Sequence, residues 1–166
     1  MLTQETLRAL LHYDPESGQF TWLVNRGSRA RKGNVAGRIT THSGPFYREI
    51  IICRRVYQAH RLAFLYLTGA WPIGNVDHWD MNGLNNRWAN LRVATLSQNA
   101  ANTGRYLTNT SGFKGVTMHR QSGRWQAQIK QHGKSIYLGL FNDPAVAHAV
   151  YVAKARELFG EFARAA

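Results

Sequence analysis

The chain has 166 residues, with 21 Lys and Arg, 9 Asp and Glu, a single cysteine and a formal net charge of +12. One cysteine excludes a disulfide framework and a zinc site built on Cys-x-x-Cys pairs, and no apolar stretch approaches the length of a membrane span. The basic surplus indicates a polyanionic partner, because each cation placed near a phosphate releases counterions; the alternative is a basic surface that only keeps the protein in solution.

The first fifty residues contain a helix, a strand and a basic loop by their local patterns. "TQETLRALLH" has leucines at helical spacing and Thr3 as N-cap, "DPESG" predicts a turn, and "QFTWLV" predicts a strand. The run "NRGSRARKGN" is basic, rich in glycine and without periodicity, so we predict a loop there. Three cations of this loop are candidate contacts to a phosphate backbone: Arg29, Arg31 and Lys32.

The next segment predicts a hairpin, a helix and then a second, more polar hairpin. "FYREIIICRRVYQAHRLAFLYLTG" contains two strands around a turn near Cys53 and a helix from about residue 59 to residue 68, ended by Gly69. "NVDHW" and "NLRVA" predict two short strands joined by a long asparagine-rich loop. "TLSQNAANTG" predicts a helix with Thr95 as N-cap and Gln98 as its capping-box partner.

The last third predicts a sheet followed by a helix, after a polar linker at residues 105–110. "FKGVTMHR", "RWQAQIK" and "SIYLGLF" alternate in polarity and are separated by glycine turns, which predicts three antiparallel strands. The helix that follows has Asp143 as N-cap, Pro144 in its first turn and Gly160 after its end. The fold class predicted for the whole chain is therefore α+β.

Alternation along the three strands assigns each residue to one face of the sheet. The inward residues are Val116, Met118, Trp125, Ala127, Ile129, Ile136, Leu138 and Leu140. The outward residues are Thr117, His119, Arg124, Gln126, Gln128, Lys130 and Tyr137. No strand carries an acid, so we predict that the outward face enters a DNA major groove; the alternative is the ordinary polar face of any half-buried sheet.

The pair Asp77-His78 stands in front of the asparagine-rich loop in "VDHWDMNGLNNRWANLR". Alternation predicts that the two side chains leave opposite faces of the strand, so that Asp77 holds a metal while His78 takes a proton from a water attacking phosphorus. Asn99, one turn into the next helix, can share that metal, because Mg²⁺ needs few protein oxygens. Asn90 is predicted to hold the loop that carries His78.

Other residues near the pair are given structural roles. We predict that Asp80 shapes the loop and that His60 packs beside the core, the alternative for His60 being a phosphate contact. The alternative for the whole segment is a polar surface loop in which an Asp and a His are neighbours by chance.

The segment "DHWDMNGLNNRWANLRVATLSQNAAN" resembles the ββα-metal motif of the HNH nucleases, in their phage homing-endonuclease branch, and "AHRLAFLYLTGAWPIGNV" is similar to what precedes it there. The resemblance implies Asp77 and Asn99 as metal ligands, His78 as general base and Asn90 as the central asparagine. It implies Mg²⁺ or Mn²⁺ as cofactor, double-stranded DNA as substrate and ends with a 5′-phosphate and a 3′-hydroxyl. Asn99 stands where the signature has its last histidine, as is usual in this branch.

Residues 111–159 resemble the plant ethylene-response-factor, or Apetala-type, DNA-binding domain. By position this implies contacts to bases and phosphates from Lys114, Thr117, His119, Gln128, Lys130 and Tyr137. Several arginines of that family are replaced here by Thr, His and Gln, so its GC-rich target is not carried over. The predicted domains are 1–50, a nuclease module at 51–104, the linker 105–110, and a DNA-binding module at 111–166.

The predicted function is metal-dependent hydrolysis of DNA phosphodiesters by a soluble protein in the cytoplasm, that of a bacterial host if a phage encodes it. One site per chain would nick one strand, and a double-strand break would need a homodimer or two events. The alternative is a DNA-binding regulator with an inactive nuclease fold. RNA is disfavoured as substrate, because recognition of single strands by base stacking requires several exposed aromatic side chains. Tyr137 is the one aromatic residue predicted on the outward face.

Overall fold

The computed structural model describes residues 1–27, 30–40, 46–105 and 108–164. It divides the chain into two compact units, which we call the first unit (Met1–Val93) and the second unit (Ala94–Ala166). Among the described residues, no helix combines the length and the apolar character that crossing a membrane requires. The division falls after Val93, so the described part of the predicted linker, residues 105 and 108–110, lies within the second unit.

In its described residues, the first unit contains two α-helices and seven strands. The helices are α1 (Gln4–Leu10) and α2 (Ala59–Thr68). The strands are β1 (Leu11–Asp14), β2 (Gln19–Trp22), β3 (Arg38–Ile39), β4 (Arg48–Ile52), β5 (Arg55–Gln58), β6 (Asn75–His78) and β7 (Leu91–Ala94, whose last residue falls in the second unit). β1 pairs with β2, β3 with β4 and β5, and β6 with β7; a single 3₁₀ turn, Trp88–Asn90, precedes β7.

Local signals set several of these ends as the sequence predicts, although α1 ends at Leu10 and β1 begins at Leu11, inside the segment predicted as helix. The Thr3 hydroxyl accepts a hydrogen bond from the backbone N–H of Thr6 at 3.2 Å and so caps α1. Cys53 and Arg54 adopt positive φ angles of 50° and 62° in the tight turn between β4 and β5. Gly69, with φ of 78°, ends α2, because a residue without Cβ tolerates the left-handed region.

One apolar core joins the N-terminal elements to α2. Leu7 of α1, Leu11 of β1 and Leu62 of α2 are all fully buried in it. Ile50 and Ile52, on either side of the predicted boundary between residues 50 and 51, are fully buried in the same core. β4 therefore crosses the predicted boundary and carries core residues on both sides of it.

The second unit is a three-stranded sheet with helices. Its elements are α3 (Leu96–Asn102), β8 (Val116–His119), β9 (Arg124–Gln131), β10 (Lys134–Phe141), α4 (Pro144–Phe159) and a 3₁₀ turn, Gly160–Phe162. The strands run antiparallel in the order β10-β9-β8. α4 contributes a buried stripe at helical spacing, Ala147, Tyr151, Ala155 and Phe159. The Asp143 carboxylate caps α4 by accepting the backbone N–H of Ala145 at 2.7 Å.

One predicted inward residue of this sheet, Leu140, is wrong, and a second, Met118, is more exposed than its face suggests. The β9–β10 register shifts between Tyr137 and Gly139, so Leu140 lies opposite Gln126 on the outward face. A bulge of this kind inserts one extra residue and reverses the alternation beyond it. Met118 keeps the predicted face, since it lies opposite Trp125, but it is 43% exposed because β8 is an edge strand among the described strands of this sheet.

Candidate active site

Asp77 lies in β6 and its carboxylate is buried, with the residue only 6% exposed. The guanidinium of Arg92, on the paired strand β7, donates from Nε to Oδ2 of Asp77 at 2.9 Å. The same guanidinium lies over the ring of Trp79, 4.5 Å from its centroid. A buried carboxylate requires a compensating positive charge, and the chain itself supplies one here.

His78 follows Asp77 and is also buried, at 5% exposure. Its Nε2 lies 3.2 Å from Oδ1 of Asn86, in the loop between β6 and β7. Burial lowers the pKa of His78 and outweighs the contact with Asn86 and the nearby carboxylates, which act in the opposite direction. The imidazole is therefore neutral near pH 7, the form that can accept a proton. Both side chains are covered in the structure, whereas the sequence predicted that one of them would face a substrate.

The loop after His78 is ordered by amides and a carboxylate. Oδ1 of Asp80 accepts the side-chain N–H of Asn90 at 2.9 Å, and Oδ2 accepts that of Asn85 at 2.6 Å. In return Oδ1 of Asn90 accepts the backbone N–H of Asp80 at 3.1 Å, while its Nδ2 also donates to the carbonyl of Asn85 at 2.8 Å. These bonds span both ends of the loop, so a segment poor in aliphatic residues still has a defined shape.

The contacts of Asp80 and Asn90 agree with the structural roles given to them, and a catalytic role for Asn90 stays a prediction. Burial raises the pKa of Asp80, but hydrogen bonds from Asn85, Asn82 and Asn90 outweigh it, so the pKa is lowered. Asp80 is therefore ionised at neutral pH and accepts these bonds as a carboxylate.

Two further rings surround the imidazole of His78. The ring of His60, on α2, meets it edge to face with centroids 5.0 Å apart, and the ring of Tyr47 lies 5.9 Å away. His60 is buried, and its Nδ1 has no hydrogen-bond partner among the described residues. Burial is the main reason that its pKa falls to about 3, so this ring stays neutral as well. The packing role predicted for His60 agrees with these contacts.

Sequence reasoning missed three residues of this site: Asn86, Arg92 and Tyr47. Asn86 belongs to the asparagine-rich loop and so carried a weak signal. Arg92 and Tyr47 carried no signal, because their contacts depend on strand pairing and on packing between distant segments rather than on spacing.

Asn99 lies in α3 and belongs to the second unit, whereas Asp77 belongs to the first. A capping box fixes the start of α3: Oγ1 of Thr95 accepts the N–H of Gln98 at 3.2 Å, and Oε1 of Gln98 accepts the N–H of Thr95 at 2.9 Å. The sharing of one ion by Asp77 and Asn99 stays a prediction. Within the described residues, no three His, Cys, Asp or Glu side chains gather into a metal cluster.

The donor chemistry of the predicted ligands fits a hard divalent cation. Mg²⁺ and Mn²⁺ prefer carboxylate and amide oxygens and keep several waters, so one Asp and one Asn form a suitable pair. The carboxylate of Asp77 already binds one cationic group, the guanidinium of Arg92. A divalent ion would stabilise the same negative charge. An ion on Asp77 would have to share this carboxylate with Arg92 or replace it.

The outward face of the sheet brings together seven of the predicted DNA contacts. Register pairs Thr117 with Gln126, His119 with Arg124, Tyr137 with Gln128, and Lys130 with Ser135. Several are tied to neighbours: Nη2 of Arg124 donates to the carbonyl of Leu140 at 2.8 Å, Nδ1 of His119 lies 2.8 Å from Oγ of Ser122, and Gln126 donates to Gln128 at 3.4 Å. Arg124, Lys130 and Tyr137 are exposed.

Lys114 does not belong to this face. Its Nζ donates to the carbonyls of Ala101 and Thr103 at 2.5 and 2.6 Å, at the C-terminal end of α3. A cation there satisfies carbonyls that the helix leaves without a partner. Burial lowers the pKa of Lys114 to about 8. In the structure Lys114 therefore caps α3, and its predicted phosphate contact stays a prediction.

In the N-terminal loop, Arg31 and Lys32 are exposed, and the backbone N–H of Lys32 donates to Oδ1 of Asn25 at 2.9 Å. Their predicted DNA contacts stay predictions. Arg29 lies outside the described residues.

Comparison with known proteins identifies what this chain is similar to. A family model described as HNH endonuclease matches residues 57–101, which include α2, β6, the asparagine-rich loop, β7 and most of α3. Protein 3.8 of Escherichia phage T7 is 34% identical over 89 residues, covering 54% of this chain and 73% of the phage protein. No solved structure matches this chain.

A second relative is the uncharacterized HNH endonuclease L560 of Acanthamoeba polyphaga mimivirus. It is 35% identical over 108 residues, 64% of this chain, and the chain spans 55% of its length. The family match stops at residue 101, before β8, the first strand of the second-unit sheet, begins at Val116.

Proposed function

Because this chain belongs to the HNH endonuclease family, we propose that it is a divalent-metal-dependent nuclease that hydrolyses phosphodiester bonds of double-stranded DNA. The observation that carries the proposal is the adjacent buried pair Asp77 and His78, within the family match, with Asn90 bonded across the loop that follows them. A buried carboxylate beside a neutral imidazole supplies the two groups that hydrolysis at phosphorus needs, an ion ligand and a proton acceptor.

In this mechanism His78 accepts a proton from the attacking water. The water oxygen forms a bond to phosphorus, the bond from phosphorus to the 3′ oxygen breaks, and the departing oxygen takes a proton from solvent. Asp77 and Asn99 would hold the ion, which supplies positive charge to the reacting phosphate when bound. Asn90 keeps the loop folded, so the backbone after His78 holds its position during the reaction.

The test is cleavage of supercoiled plasmid by the full chain with Mg²⁺, with Mn²⁺, and with either ion plus EDTA. We expect nicked circles first, because one site per chain cuts one strand, with 5′-phosphate and 3′-hydroxyl ends. Conversion to linear DNA would then require a second event or a homodimer, which a dependence of linear product on protein concentration would reveal. Absence of cleavage with every divalent ion tried would contradict the proposal.

We further propose that the outward face of the second-unit sheet binds double-stranded DNA, as the Apetala-type resemblance implies. Support comes from its chemistry: the described strands of this sheet, β8 to β10, carry cations and amides and no acid. Antiparallel β-strands can enter a major groove.

Lys130→Ala is expected to weaken DNA binding and to reduce the slope of log K against log salt by about 0.9, the value of one phosphate contact. Lys134→Ala is the matched control. It removes the same charge from the opposite face of the sheet. Lys134 pairs with Gln131 and so shares its face, and Gln131 faces away from its neighbour Lys130. Fluorescence anisotropy across a salt series measures both slopes, and equal slopes in the two variants would remove Lys130 from the interface.

The second candidate is a DNA-binding regulator without nuclease activity. It is favoured by the ion pair between Asp77 and Arg92, with which an ion would have to compete, and by the burial of His78, which a water would have to reach. This candidate predicts DNA binding that survives EDTA and no cleavage under any condition. In either case the relatives from viruses support a site of action in the cytoplasm of a host cell.

A further inference from the structure

We propose that Asn86 is a positioning residue for His78: its buried amide holds the proton of the imidazole on Nε2, and the N-terminal hairpin β1–β2 holds Asn86. The catalytic consequence rests on the proposed function, whereas the tautomer itself does not. Asn86 is only 1% exposed, so water does not compete for its side-chain hydrogen bonds.

The orientation of the Asn86 amide is fixed by its second contact. Nδ2 of Asn86 donates to the carbonyl of Leu84 at 3.3 Å, while Oδ1 lies 3.2 Å from Nε2 of His78. If the amide were rotated by half a turn, Oδ1 of Asn86 would face the carbonyl oxygen of Leu84, and neither oxygen can donate a hydrogen bond. Oδ1 therefore faces the imidazole.

This orientation decides which nitrogen of His78 carries the proton. An amide oxygen only accepts, so Nε2 has to be the donor, and in a neutral imidazole the lone pair then lies on Nδ1. Nδ1 is therefore the atom that would take the proton from the attacking water. Without the amide oxygen of Asn86, the two tautomers of an imidazole are close in energy and both would be populated.

The N-terminal hairpin supports Asn86 from behind. The hydroxyl of Tyr13, in β1, donates to the backbone carbonyl of Asn86 at 2.7 Å, and the carbonyl of Pro15 accepts the N–H of Trp88 at 3.0 Å. Gly18, with φ of 72°, approaches so closely that a Cβ there would lie 2.3 Å from the carbonyl carbon of Asn86. These residues precede the family match at 57–101, so the part of the chain before it helps to hold the site.

The rings of His60 and Tyr47 complete the support. Their ring centroids lie 5.0 and 5.9 Å from that of His78, and this packing restricts the plane of the imidazole. The hydrogen bond to Asn86 restricts the rotation of the imidazole within that plane. Both constraints act on His78 and neither requires contact with DNA, which makes Asn86 a residue that acts through the base rather than on the substrate.

The test is the nitrogen NMR spectrum of the full chain labelled with ¹⁵N-histidine, recorded near pH 7.5 without metal. We expect His78 in the wild type to show a protonated Nε2 and an unprotonated Nδ1. Asn86→Leu should shift the His78 nitrogens towards a mixture of tautomers and lower kcat for plasmid cleavage on the order of a hundredfold, with KM little changed. Asn86→Asp, which keeps an acceptor, should retain the Nε2 proton and more of kcat.

Asn34→Leu is the matched control, because Asn34 is exposed in the same unit, and it should leave the His78 signals and kcat unchanged. A wild-type spectrum with the proton on Nδ1 would overturn the proposal, and so would an Asn86→Leu spectrum identical to the wild type. If Asn86→Leu does not fold, the wild type and Asn86→Asp decide the tautomer. If the wild type has the expected tautomer but cuts no DNA, the proposed function fails while the link from Asn86 to His78 stands.

Discussion

His78→Ala is expected to lower the rate of plasmid cleavage by about 10²–10⁴-fold, the usual contribution of a positioned general base. The variant loses the only side chain of the site that is proposed to accept the proton of the attacking water. Asp77 and Asn90 remain, so the loop and the proposed ion ligand persist. DNA affinity should be nearly unchanged, because the buried imidazole contributes little to a surface that binds phosphates.

Single-turnover cleavage at saturating protein measures this loss without interference from binding. His12→Ala is the matched control, since it removes an imidazole from an exposed position on β1 in the same unit. A circular dichroism melt of each variant separates loss of chemistry from loss of fold. Cleavage by His78→Ala at the wild-type rate would remove His78 from the mechanism.

Acid is expected to destabilise the first unit through His60. Burial holds the pKa of His60 near 3 in the folded chain, against an ordinary value of 6.5. Below pH 6.5, His60 therefore binds a proton in the unfolded chain, whereas in the folded chain it binds one only near pH 3. The stability conferred by the neutral ring is complete above pH 6.5 and is lost progressively as the pH falls towards 3.

The expected loss of unfolding free energy from His60 is about 3 kcal/mol between pH 7 and pH 4.5, at roughly 1.4 kcal/mol for each tenfold change in proton affinity. Urea unfolding at the two pH values measures it. In His60→Phe the ring contacts are kept and the titration is removed, so the variant should lose about 3 kcal/mol less than the wild type on acidification. His12→Phe, the same change at an exposed site, should follow the wild type. Equal pH dependence in His60→Phe and wild type would contradict this assignment.

The sequence by itself determined most of the elements and several of their ends, but not β1 or β3. Thr3, Thr95 and Asp143 cap the helices predicted to follow them, Gly69 ends α2, and the predicted turn at Cys53 lies between β4 and β5. These features depend on hydrogen bonds and backbone angles within a few residues, which a local pattern reports directly. The Asp-His pair and the asparagines after it were visible for the same reason, because they are neighbours along the chain.

The tertiary structure alone decided which partners these residues have. Arg92 reaches Asp77 across 15 positions of the chain, and Tyr13 reaches Asn86 across 73. The bulge at Leu138, the capping role of Lys114 and the burial of His78 likewise depend on strand register and on what packs over each side chain. Alternation and composition report the chemistry of a side chain but not the distant groups that desolvate it or bond to it, and those groups set its charge, its tautomer and its accessibility.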